Sequence, residues 1–265
     1  MTSPRSSPPR HVAITGASSG IGEALARAFA RRGDRLTLVA RRRELLEQLN
    51  VECGGGAHLA VHDLSDPARA LDWIAAAETQ HGPIDVLINN AGIDPIGLAV
   101  SSDVAEGRKV LDLNMVTPIL ITRALLPAMV ERRSGVLVQV ASVAAIVAPA
   151  GQAWYSASKA GLAQFAETLR YDLEGTGVHS MVVYPGPVKT PMGDSAFATY
   201  GGREGPAGRA PEGTSEGLAQ WVLAAVDRRQ ARVIYPAFYW LTWLFPWFAR
   251  WVVSLQRILP RGDAT

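Results

Sequence analysis

Cysteine is nearly missing from this chain: Cys53 stands alone among 265 residues. An intrachain disulfide is therefore excluded, and the composition fits a reducing, cytoplasmic compartment. Neither sign of charge predominates. Lys and Arg number 26 against 24 Asp and Glu, a net charge of +2, which argues against a nucleic-acid binder driven by charge. The five histidines (His11, His58, His62, His81 and His179) show no metal-ligand spacing, so no metal is expected. Internal repeats and interior linkers are also lacking, which leaves one large domain with a substantial core. Met1 to Arg10 is rich in Pro, Ser and Arg without an apolar centre, and reads as a disordered tail rather than a signal peptide.

From His11 onward the sequence alternates apolar strands with amphipathic helices. Strands are expected near residues 11–15, 35–40, 57–62, 84–89, 135–141, 178–184 and 232–235. The crossovers are long enough for parallel pairing, which predicts an α/β doubly wound parallel sheet of Rossmann type. The expected organisation is a tail at 1–10, a catalytic domain at 11–235 and an apolar extension at 236–265.

The first strand runs directly into Thr15-Gly-Ala-Ser-Ser-Gly-Ile-Gly22, and a helix pattern follows at Glu23–Ala30. Glycines let a backbone approach a pyrophosphate, and a helix N-terminus offers free N–H groups and a positive dipole end. A plain glycine-rich turn is the bland alternative. The second strand ends at Ala40, where an acidic residue would bind the ribose 2′-hydroxyl of NAD; Arg41, Arg42 and Arg43 stand there instead. A guanidinium pairs with a 2′-phosphate, so NADP(H) is preferred, with Arg41 as its contact. A solvated basic helix start is disfavoured, because cations are unfavourable near that end of the dipole.

Tyr155 and Lys159 are four residues apart, with Ser142 thirteen residues before the tyrosine. A helix puts phenol and ammonium on one face, where the ammonium is expected to favour the phenolate. Ser142 is placed to polarise a carbonyl or hydroxyl beside the phenol. Taken alone, such a pair is more often an ordinary helix surface pair.

Together these motifs resemble the short-chain dehydrogenase/reductase family over about residues 11 to 234. They occur in order: TGASSGIG, Asp63 after the third strand, NNAG at Asn89 to Gly92, Asn114, Ser142, YSASK at Tyr155 to Lys159, and PGPVKT at Pro185 to Thr190. The resemblance implies that Tyr155 is the general acid or base, that Lys159 lowers its pKa and holds the nicotinamide ribose, that Ser142 holds the substrate oxygen, and that Asn114 fixes a backbone kink and a relay water. It implies a cofactor site of Gly16, Ser18, Ser19, Gly20 and Ile21 at the pyrophosphate, Asp63 and Leu64 at the adenine, and Asn90 at the adenosine. Gly92, Pro185, Val188 and Thr190 complete it, the last two at the carboxamide. It further implies a homodimer or homotetramer built through the helix of Tyr155, whose Ala157, Ala160 and Gly161 leave one flank small, and a mobile substrate loop at about Met192 to Arg209.

Val233 to Ala249 carries no charge, and Trp240, Trp243, Trp247 and Trp251 recur at helical steps. Seventeen residues is the lower limit for crossing a bilayer, and Pro236 and Pro246 interrupt the run. An interfacial helix pair making peripheral membrane contact through 233–259 competes with a dimer contact or a lid over an apolar substrate, and with a span. These features point to an NADP(H)-dependent carbonyl reductase or alcohol dehydrogenase. Its substrate is a small lipophilic one: a long-chain keto-lipid such as 3-ketosphinganine, a steroid, a retinoid or an aryl ketone. The rivals are a catalytically silent nucleotide-binding module and a serine hydrolase, the latter because Gly16-x-Ser18-x-Gly20 matches a nucleophile elbow and Ser156-x-x-Lys159 a Ser-Lys pair.

Overall fold

In the computed structural model of the chain, residues 9–204 and 210–256 are described. The expected tail falls outside them at residues 1–8, as do Arg257 and Leu259 of the extension. Arg10 is tied to the body: its amide donates to Asp34 Oδ1 at 2.9 Å and its guanidinium meets Asp227 at 2.7 Å.

The strands are β1 (His11–Thr15), β2 (Arg35–Ala40), β3 (His58–Val61), β4 (Val86–Asn89), β5 (Gly135–Val140), β6 (Val178–Pro185), the short β7 (Val188–Lys189) and β8 (Gly213–Thr214), and β9 (Arg232–Tyr235). The helices are α1 (Gly20–Arg31), α2 (Arg43–Glu52), α3 (Ile74–His81), α4 (Val104–Leu111), α5 (Thr117–Glu131), α6 (Ala144–Val147), α7 (Ala153–Asp172), α8 (Pro191–Thr199), α9 (Ser215–Asp227), α10 (Trp240–Leu244) and α11 (Pro246–Gln256). Seven strands form one sheet in the order β3-β2-β1-β4-β5-β6-β9, every pairing parallel. All seven expected strands are there.

Each central strand is buried on both faces, and the period-2 alternation of side chains divides the core in two. Ile14, Leu38, Val86 and Val138 pack with Leu25 and Phe29 of α1 and Leu218 and Val222 of α9. Their neighbours Ala13, Val39, Leu87 and Leu137 face the other way, onto Ile121, Leu125 and Met129 of α5 and Leu169 of α7. Strand order reverses between β1 and β4, which opens a crevice at their carboxyl ends.

Two local expectations change. A loop was expected at about Met192 to Arg209; Pro191–Thr199 is instead helical, and residues 205–209 lie outside the described residues. Thr190 caps it by accepting from the Gly193 amide at 3.0 Å, and Pro191 starts the first turn, where its missing N–H costs nothing. Gly161 is occupied within the chain: a Cβ there would lie 2.4 Å from Met115 Sδ, so its small size serves packing onto the segment before α5.

After β9 the extension folds as α10 and α11, both packed on α6. Trp243 turns inward under Arg232, 4.6 Å from guanidinium carbon to ring centre. Trp240, Trp247 and Trp251 turn outward with Leu241, Leu244, Phe245 and Phe248. The tryptophans therefore do not share one face, and the division already falls within α10, between Trp240 and Trp243.

Candidate active site

A cavity of about 480 Å³ lies at the crevice. On its cofactor side, Gly16 and Gly20 have positive φ (66° and 59°), a conformation only glycine adopts without strain. A Cβ on Gly16 would come within 2.8 Å of Ala91 Cα, and one on Gly22 within 2.2 Å of Gly16 O. Ser19 precedes α1 in extended backbone but gives no side-chain cap, so the first-turn N–H groups of α1 lack a side-chain acceptor at the lip of the cavity. Gly16, Ser18, Ser19, Gly20 and Ile21 line it. This cradle fits a pyrophosphate.

Asp63, Leu64, Asn90, Gly92, Pro185, Val188 and Thr190 line the same cavity. Partial burial pushes Asp63 up, but the Ser65 amide and hydroxyl and the Arg41 charge outweigh it and hold the carboxyl below its usual range. The Asn90 amide group donates to Thr15 O at 3.0 Å and Gly16 O at 3.3 Å, so its side chain braces the glycine turn from β4. Pro185 O accepts from the Val143 amide at 2.9 Å. Arg41 is largely exposed and 3.8 Å from Asp63. Arg42 is the arginine that reaches the glycine turn, at 2.8 Å from Ser18 Oγ and 2.9 Å from Ser19 Oγ.

On the opposite side, β5 and α7 bring Ser142, Tyr155 and Lys159 to one wall. Lys159 Nζ donates to Val140 O at 2.8 Å and lies 5.8 Å from the Tyr155 ring centre. Burial lowers Lys159 to about 8, opposed by the Asp94 charge. Burial and the same Asp94 charge push Tyr155 well above its ordinary value, with Ser142 pulling down. Desolvation thus sets the direction for Tyr155, while the ammonium expected to favour the phenolate is engaged by Val140 O. Ser142 Oγ accepts from the Ala144 amide at 3.1 Å. Asn114 is fully buried in a π-helical turn, Asp112–Val116, between α4 and α5. Its Oδ1 accepts from the Ile93 amide at 2.9 Å, and its Nδ2 donates to Ile93 O at 2.9 Å and Ser158 Oγ at 3.2 Å. It therefore locks the segment after β4 onto α7.

The hydrolase reading loses its geometry. Ser18 Oγ is held by Arg42, and among the described residues no histidine bonds to it. Ser156 Oγ is buried without a partner while Lys159 bonds Val140 O. Sequence reasoning missed Asp94 and Gln152, both lining the cavity. A carboxylate within the apolar run Ala91-Gly-Ile-Asp-Pro-Ile96 was the available signal for Asp94.

The family model described as short chain dehydrogenase matches residues 10–201. The chain belongs to the short-chain dehydrogenase family. Relatives of this short-chain dehydrogenase include a short chain dehydrogenase of Pseudocercospora fijiensis, 40% identical over 70% of this chain and 62% of that protein. Dehydrogenase/reductase SDR family member 7B of Mus musculus is 34% identical over 84% of this chain and 72% of its own length. The 11-beta-hydroxysteroid dehydrogenase 1A of Arabidopsis thaliana is 34% identical over 88% and 70% respectively. This chain thus spans somewhat under two thirds of the fungal relative. The short-chain dehydrogenase family is one of oxidoreductases that use nicotinamide cofactors, and the cradle above fits such a cofactor.

Proposed function

We propose that this chain is an NADP(H)-dependent carbonyl reductase, or alcohol dehydrogenase in reverse, acting on a lipophilic ketone or secondary alcohol. One observation carries the reading: Ser142, Tyr155 and Lys159 converge on a cavity whose other side is a glycine cradle flanked by Arg41 and Arg42. Bound nicotinamide would supply the hydride to the carbonyl carbon. Tyr155 gives its proton to the carbonyl oxygen, and Ser142 Oγ hydrogen-bonds the same oxygen. The phenol carries its proton at neutral pH, the form a reduction needs, while burial makes it a weaker donor than an ordinary tyrosine. Lys159, still mainly charged at pH 7, places a cation beneath the ring, and Asn114 fixes the backbone at Ile93.

Val143, Pro149, Met192 and Phe197 on the cavity wall support a lipophilic substrate. So do the relatives: one is named for a hydroxysteroid, and another, from Nostoc, is a ketoacyl reductase, 39% identical over 67% of this chain and 63% of its own. The outward aromatics of α10 and α11 support peripheral attachment of a cytoplasmic enzyme to a membrane, and a homodimer or homotetramer is the proposed assembly.

The test is a panel of ketones with NADPH absorbance as the readout, on the native chain and Tyr155→Phe. The native chain should turn over an apolar ketone, and the variant should lose about 10²–10⁴-fold in kcat with NADPH affinity nearly intact. A variant keeping more than about a tenth of the rate would remove Tyr155 from the proton-transfer role. Absence of turnover with every ketone and alcohol would favour a silent nucleotide-binding module.

A further inference from the structure

Asp94 lies in the stretch after β4, two residues beyond Gly92, where a built Cβ would approach Lys159 Nζ to 3.4 Å. Its Oδ2 accepts a hydrogen bond from Gln152 Nε2, at the N-cap of α7, one helical turn before Tyr155. Its Oδ1 is shut off from solvent and has no partner. A buried acceptor without a partner is costly, and more so when charged, so one that persists in a reaction cavity needs an explanation.

The neighbouring donors do not supply it. Lys159 spends a hydrogen bond on Val140 O, and the Tyr200 hydroxyl donates to Ala150 O at 2.5 Å. Yet Asp94 is electrostatically coupled to this group of side chains: its charge raises Tyr155 and Tyr200 and opposes the lowering of Lys159. Burial brings the carboxyl up to about 6, with Gln152 and Lys159 pulling down, so it is mainly ionised at neutral pH. Asp94, Gln152, Tyr155 and Lys159 share one cavity, and the wall around them is otherwise largely apolar.

We infer that Asp94 is a specificity determinant: its carboxylate, on the wall of the cavity, accepts a hydrogen bond from a hydroxyl or ammonium that the substrate carries near its reacting carbonyl. The inference rests on the carbonyl-reductase reading and narrows its substrate class to lipophilic ketones with a donor near the carbonyl. An unadorned ketone leaves the carboxylate oxygen unsatisfied. A donor-bearing ketone satisfies it, and is thereby oriented with its carbonyl toward Tyr155.

The experiment compares kcat/KM for three ketones of equal chain length: plain, α-hydroxy and α-amino. Charge-assisted hydrogen bonds of about 1.5–3 kcal/mol predict a native preference of roughly 10- to 100-fold for one donor ketone over the plain one. Asp94→Leu should bring that ratio to about one. Asp94→Asn, which keeps the shape, should cut the ratio at least tenfold if the donor is an ammonium and less if it is a hydroxyl. A merely structural Asp94 would depress all three ketones alike and leave the ratio in place, which overturns the inference. A native ratio under about threefold overturns it whichever variant folds. If the native chain reduces the plain ketone without discrimination, only Asp94 loses its role. If it reduces none of the three and nothing else in the panel, the carbonyl-reductase reading fails first.

Discussion

At the end of β2, two adjacent arginines take different positions toward the cofactor cradle. Arg42 spans Ser18 and Ser19, whereas Arg41 extends into solvent beside Asp63. A 2′-phosphate would compete with two neutral hydroxyls for Arg42 and with one weakly paired carboxylate for Arg41. Charge-assisted contacts of about 1.5–3 kcal/mol predict that Arg42→Ala raises the KM for NADPH by roughly 10- to 100-fold with little change for NADH, and that Arg41→Asp shifts preference toward NADH. Equal losses with both cofactors would reduce the arginines to braces of the glycine turn. Gly16, Tyr155 and Lys159 could be picked out because a phosphate cradle and a phenol–ammonium pair demand particular residue types at particular spacings, whereas Asn114 could be named only through the family resemblance. Asp94 and Gln152 were not, since 58 residues separate them and their pairing exists only once β4 and α7 are packed. The burial that raises Tyr155 was equally invisible, because spacing does not report desolvation.

Strands and helices were read well from periodicity, for a physical reason: a parallel sheet buried on both faces leaves continuous apolar runs. The missed element, α8, was hidden by residues that signal both loops and helix starts; Thr190 and Pro191 served the second purpose. Between α1 and the glycine turn, local propensity and tertiary packing give opposite predictions at Gly22. Alanine would improve the helix by about 1 kcal/mol. Its Cβ would also meet Gly16 O and Asn90 Nδ2 at 2.2 and 2.6 Å, one of them backbone with no freedom to yield. Overpacking of about 1–3 kcal/mol should win, so Gly22→Ala is expected to lower stability in urea denaturation and to weaken NADPH binding. A more stable variant would show that the helix stands further from the turn.

For the molecule as a whole, the aromatic extension is the part least explained by the sheet. Trp247 is 71% exposed and Trp251 55% exposed, in company with Leu244 and Phe245, and a soluble chain rarely leaves so much contiguous apolar surface bare. Removing the chain after Tyr235 should abolish sedimentation with liposomes while a small water-soluble ketone is still reduced. Retained liposome binding would exclude the extension as the anchor, and loss of all activity would show that its packing on α6 is needed to hold the catalytic domain together. Sequence spacing showed the tryptophans but not that Trp243 turns inward under Arg232. The extension also rests on α6, with Arg250 Nε donating to Ile146 O at 2.8 Å, and α6 directly follows Ser142 at the cavity wall. An enzyme seated by this face would sample substrate in two dimensions. Its rate would then follow the mole fraction of ketone in the lipid rather than the amount per volume of buffer, and adding inert lipid at constant ketone would slow it by dilution within the surface.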